Sequence, residues 1–214
     1  MSRALDIAAK ILSVVFYPLF VPTYGIALFC YSYGTLVQPM HWVWITVAIV
    51  GTLLLTAVIP ITAIWIMMRK GSVTDMQIAN PKERTIPYLY SILGFAFWCY
   101  LLISILQVPV YLSFVGIGAT VAIGLVTLIN RFWKISAHLT GLGGLFGGLM
   151  SYCIGIGAIP TIGTMCIWLG VVLIVMYARL RLNAHTPAQV CAGFILGVAC
   201  TAIPYCIYHL WVIN

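Results

Sequence analysis

Charge in this chain is confined to short segments that separate long apolar runs, and this restricts the fold more than any other feature of the sequence. The runs cover residues 11–33, 42–68, 87–107, 109–130, 138–158, 160–178 and 188–212, divided by charged residues or by Gly and Pro. Each is near the ~20 residues that carry an α-helix across a bilayer while satisfying its own backbone hydrogen bonds. Of the 214 residues 64% are hydrophobic and 6% charged, where soluble domains carry roughly 25% charged residues, so a soluble fold could not cover the apolar surface. The chain is predicted to be all-α, a polytopic transmembrane helical bundle.

Seven spans are expected, with residues 1–36 forming an N-terminal membrane helix and 37–214 the transmembrane core. Pro18 and Pro22 interrupt the first run, which could therefore be a kinked span or a segment that enters and leaves by one face, giving six spans. Arg3 and Lys10 ahead of that run resemble the start of a signal peptide, but the prolines and the lack of a small-residue cleavage site favour a retained first helix. The seven cysteines lie in or beside apolar runs without a C-x-x-C pair, which indicates neither a disulfide framework nor a zinc site.

With seven spans, Arg3, Lys10, Arg69, Lys70, Lys82, Arg84, Arg131, Lys134, Arg179 and Arg181 all fall on one face. The positive-inside rule makes that face cytoplasmic, in an inner bacterial membrane, with the N-terminus in and the C-terminus out. The other face carries Tyr31, Tyr33, His41, Trp42, Trp44, His209 and Trp211, which read as an interfacial belt without a catalytic role. Gly143 and Gly147, Gly144 and Gly148, and Gly193 and Gly197 are each four apart, a spacing that lets helices pack closely.

Asp6, Asp75 and Glu83 are the only acids, and none sits inside a run. Clustered oxygen ligands for a two-metal site, and an intramembrane carboxylate for proton-coupled transport, are therefore missing. What the basic face offers instead is three loops: KERTIP (82–87), KISAHLTG (134–141) and ARLRLNAHTPAQ (178–189). They combine guanidinium groups that can hold phosphate oxygens with two imidazoles, one able to attack phosphorus and one to protonate the leaving oxygen. Ser136 and Thr186 precede apolar runs, where they can cap helix starts and where unpaired N–H groups favour phosphate.

These loops resemble the motifs of the type 2 phosphatidic acid phosphatase superfamily, the lipid phosphatases related in fold to vanadium haloperoxidases. The family's Pro-Ser-Gly-His corresponds to Ile135, Ser136, Ala137 and His138, and its Ser-Arg-x5-His-x3-Asp to Ala178, Arg179, His185 and Gln189. Its first motif, Lys-x6-Arg-Pro, is poorer: with its arginine on Arg84, Gln77 stands for lysine and Thr85 for proline, and Lys82, Lys134 or Arg181 could supply the missing charge. The resemblance implies a six-helix core from about the second span onward and a phosphohistidine mechanism without metal or other cofactor. In it His185 is the nucleophile, His138 the general acid and then base, and Arg84, Arg179 and Ser136 bind the phosphoryl group.

Gln189 replaces the aspartate that orients the nucleophile, so it can fix the imidazole tautomer but not raise its basicity. It also closes a T-x-x-Q capping box with Thr186 around Pro187, so capping and histidine support compete for one side chain. Three activities follow as expectations: removal of a terminal phosphate from a phospholipid or polyprenyl (pyro)phosphate; transfer of the phosphoryl-bearing group to an alcohol such as an inositol or ceramide hydroxyl; or silent binding of anionic lipid. The expected partner is a membrane lipid, not nucleic acid. A cytoplasmic site would suit an inner-leaflet substrate such as phosphatidylglycerophosphate or phosphatidylinositol phosphate.

Overall fold

The computed structural model describes residues 2–213 apart from 38, 77, 79, 159 and 160; Gln77 of the first motif thus lies outside the described residues. The protein is all-helical. Its helices are α1 (Ser2–Val15), α2 (Val21–Leu36), α3 (Trp42–Arg69), α4 (Thr85–Ser104), α5 (Val110–Ile129), α6 (Ala137–Gly155), α7 (Ile162–Arg181) and α8 (Pro187–Ile213). Among them α3, α4, α5, α7 and α8 are long and apolar enough to cross a membrane, the pattern of an integral multi-pass membrane protein. The glycine-rich α6 and the 16-residue α2 fall outside that set.

The first run departs from expectation by breaking into two helices. Pro18 has no N–H with which to extend α1 and disfavours helical geometry at Tyr17, so the chain turns over residues 16–20. Pro22 lies in the first turn of α2, where a missing N–H costs nothing. Only α2 then runs into the bundle, against α3 and α6, while α1 packs along α7. In α1 the small Ala9 and Ser13 are buried, whereas Arg3, Lys10 and several Ile and Val side chains are exposed, so this helix is amphipathic rather than apolar all round.

Within α3 the segment Leu54–Val58 is π-helical, immediately before Pro60. The ring of Pro60 cannot donate to the carbonyl one turn back and crowds it, and the wider turn relieves both problems. The bundle is centred on α6 and α8, the most extensively packed pair, with α5 against both. A side chain at Gly143 would meet the Phe194 carbonyl and one at Gly197 the Thr140 carbonyl, so these helices touch backbone to backbone, as the four-residue glycine spacing predicts.

Helix alternation brings the end of α5, the start of α6, the end of α7 and the starts of α4 and α8 to one end of the bundle. The three basic loops therefore converge there. The opposite end is an aromatic cluster in which Phe29, Tyr111, Tyr152 and Tyr205 are buried.

Candidate anion site at the basic end of the bundle

Arg84 precedes α4 on a loop pinned by Glu83, whose carboxylate accepts from Thr74 N at 2.7 Å, Thr74 Oγ1 at 3.0 Å and Asn80 Nδ2 at 2.9 Å. Those donors, the Thr74 N–H foremost, hold the Glu83 carboxyl below its ordinary range. With Glu83 engaged there, Arg84 is fixed by neutral partners: Nε donates to the Ile78 carbonyl at 2.8 Å and Nη1 to Asn130 Oδ1 at 2.9 Å. Its side chain is 6% exposed.

Arg179, in the last turn of α7, is also 6% exposed, and its Nε and Nη1 have no hydrogen-bond partner. The two guanidinium groups lie within electrostatic reach of each other. Taking an ion out of water costs several kcal/mol even after relaxation, and a second like charge adds to that. A buried, partly unpartnered arginine beside another is therefore an incomplete arrangement that a multiply charged anion would complete. Lys134 is half-buried nearby; burial first, then the charges of Arg84 and Arg179, lowers its pKa below the ordinary lysine range.

His185, on the loop after α7, is 9% exposed. Burial, and next the Arg179 charge, pushes its pKa down to about 4, with Lys134 and Arg84 acting in the same direction. The ring is thus neutral near pH 7. Its Nδ1–H donates to Gln189 Oε1 at 3.2 Å, given the orientation the amide takes from its hydrogen bonds, and this tautomer leaves the lone pair on Nε2. The same Oε1 accepts from Thr186 N at 3.1 Å, while Gln189 N donates to Thr186 Oγ1 at 3.4 Å. Capping and histidine support do not compete, because one oxygen has lone pairs for both.

His138, in the first turn of α6, is 5% exposed; its Nε2 is 3.0 Å from the Ser13 carbonyl, to which it donates, and its ring meets that of Tyr17 edge-on at 5.8 Å. The end of α1 and the turn after it thus cover this imidazole. Tyr17 donates from its hydroxyl to the Met76 carbonyl at 2.8 Å and feels the charges of both arginines; burial raises its phenol pKa.

The remaining expected residues divide. Lys82 is exposed and, with Arg84, Tyr88, Asn130 and Lys134, lines a cavity of about 510 Å³. Ser136 is fully buried as the N-cap of α6; its Oγ accepts from Leu139 N at 3.5 Å and its N–H donates to the Gln189 carbonyl at 3.3 Å, so it joins the second and third loops. Arg181 is directed elsewhere, pairing through Nε with Asp6 of α1 at 2.8 Å and donating to the Tyr177 hydroxyl at 3.4 Å. Asn130, Tyr17 and Tyr88 were not anticipated from sequence. A polar residue closing an apolar run beside Arg131 was the available signal for Asn130, and the Tyr17-Pro18 break the signal for Tyr17. Among the described residues no three His, Cys, Asp or Glu side chains gather as metal ligands would.

The site therefore offers a basic pocket, a neutral imidazole with a free lone pair and a second imidazole beside it, all at one end of the bundle. Compared with protein-family models, curated proteins and solved structures, the chain matches none.

Proposed function

We infer that this protein is an integral membrane lipid phosphatase of the type 2 phosphatidic acid phosphatase kind, acting on a phospholipid or polyprenyl phosphate. The observation that carries this reading is Arg179, buried beside Arg84 with unpartnered nitrogens and with a neutral histidine in the same charge cluster. A terminal phosphate would be held by these guanidinium groups with Lys134 and Lys82 at the rim. Nε2 of His185 then attacks phosphorus and the bond from phosphorus to the lipid oxygen breaks; His138, which takes up a proton once the phosphate dianion offsets the charges of Arg84 and Arg179, gives that proton to the oxygen as it leaves. Water next attacks the phosphohistidine, His138 takes its proton, and phosphate departs with His185 restored.

For this His138 must release the Ser13 carbonyl, so the arrangement in which α1 covers it is the resting one. The loops bear five of the chain's ten basic residues, the others falling on the same face in the sequence reading, and the positive-inside rule favours the cytoplasmic side for this site. Gln189 favours a second reading, silent binding of anionic lipid, because it lends His185 no negative charge. Phosphate release from phospholipids and polyprenyl phosphates by the purified protein separates the two. Release lost in His185→Ala and in His138→Ala supports the phosphatase. Binding of anionic lipid with neither vanadate binding nor release from any substrate would support binding alone, and release unchanged in His185→Ala would exclude the assigned nucleophile.

A further inference from the structure

Inside the bundle, separate from the basic pocket, runs an apolar cavity of about 210 Å³. Its wall on α6 includes Ala137, Gly141, Gly144, Gly148 and Tyr152, one continuous stripe at three- and four-residue spacing. From Ala137 to Tyr152 a helix rises roughly 22 Å, so the cavity is long and thin. Facing walls come from α2 and α5, including Gly25, Val115 and Ala119. Its far end lies at the buried rings of Tyr111 and Tyr152, 5.8 Å apart and edge-to-face. Well-packed interiors keep few voids larger than a water molecule, so a space of this length calls for an occupant.

The lining hydroxyls say which kind. Thr52 donates to the Ala48 carbonyl at 2.6 Å, Thr56 to Thr52 at 2.8 Å, Ser91 to Pro87 at 3.1 Å and Thr140 to Ser136 at 3.0 Å. These four donors are engaged by helix carbonyls, which suits hydrocarbon along the length of the cavity, while the unpartnered hydroxyls of Tyr111 and Tyr152 leave a polar point only at its far end. The near end is charged in a complementary sense. Tyr88 lines both this cavity and the basic pocket and lies in the field of Arg84 and Arg179.

We propose that this cavity binds the hydrocarbon of a single-chain lipid monophosphate, whose phosphate sits on Arg84 and Arg179 and whose one chain passes Tyr88 to run between α2, α5 and α6. A space of about 210 Å³ spread along the helix holds one extended chain, and a second chain would have to stay in the surrounding bilayer, so a lipid with one chain is the better match. The proposal rests on the phosphate reading of the basic end, so its test carries a separate arm for that reading.

Binding is measured on the full-length protein in nanodiscs with three probes: vanadate, hexadecyl phosphate and a two-chain phosphatidic acid. Vanadate must bind the wild type and be lost in Arg179→Met; if it does not bind, the reading of the basic end fails whatever the cavity does. Ala119→Phe fills the middle of the cavity and is expected to weaken hexadecyl phosphate at least tenfold while leaving vanadate unchanged. The wild type is expected to prefer hexadecyl phosphate to the two-chain lipid at least tenfold. Equal affinity for the two lipids, or hexadecyl phosphate held by Ala119→Phe as by wild type, would overturn the proposal. A hexadecyl phosphate with a photoreactive group at its chain end needs no variant. It should label Phe29, Tyr111 or Tyr152, and labelling of the outward-facing Ile117 and Val121 instead would place the chain in the surrounding lipid and overturn the proposal.

Discussion

At the basic end of the bundle His185 and His138 are more than nine-tenths buried within the field of Arg84 and Arg179, whereas at the far end His41 is exposed and His209 lies along the ring of Tyr205, 5.7 Å between centroids. His41 accepts from Val43 N at 3.3 Å as the N-cap of α3 and stacks on Trp42. Both pairs occur near helix ends, so residue type and location do not separate them. Their neighbours do, since one pair meets buried cations and the other meets rings and solvent.

The largest expected difference between the two ends is in turnover. His185→Ala should lower phosphate release by on the order of 10⁴-fold or more, while His41→Ala and His209→Ala leave it within about twofold; a comparable loss in His209→Ala would break the comparison. Next in size is Arg179→Met, which should lower kcat by about 10²- to 10³-fold. The same change removes a buried, unpartnered charge and should therefore raise thermal stability in detergent, by about 1–4 kcal/mol. A destabilised Arg179→Met would mean that the guanidinium has a structural partner after all.

A smaller effect, and one that sharpens the comparison, concerns pH. Because the His185 pKa is lowered to about 4, its imidazole is neutral above that pH, and the acid limb of kcat/KM should lie near pH 4. Gln189→Asp puts a carboxylate against Nδ1, favours the imidazolium and should move that limb upward by roughly one to three pH units. An unmoved limb would show that another group controls it. The smallest effect belongs to the surface pair of Arg181 and Asp6: Asp6→Asn should leave the melting temperature in detergent almost unchanged, and by loosening α1 over His138 it should raise turnover slightly.

Much of this architecture was legible in the chain. Apolar runs gave the helices to within a few residues, and the three loops at 82–87, 134–141 and 178–189 do lie together because the helices alternate in direction. In the first run Pro18 and Pro22 signal a break without saying where the freed piece goes, and that is decided by Ser13 and Asp6 finding His138 and Arg181. Arg179 matches the third motif, and Arg181 two residues on is among those that could supply the charge the first motif lacks. Residues two apart on a helix do not share a face, so α7 turns one inward and the other toward α1. The internal cavity had no sequence signature, since its lining residues come from several helices and each reads as ordinary apolar packing.

The oxygen that Gln189 shares between Thr186 and His185 also sets where heat should act first. Helix ends fray at temperatures the helix as a whole survives, and opening the first turn of α8 would release the imidazole's hydrogen bond to Gln189 in the same event. Inactivation on warming should then be a local melting that precedes any loss of helical circular dichroism and reverses on cooling, so that the protein's working range is bounded by four residues and not by the bundle.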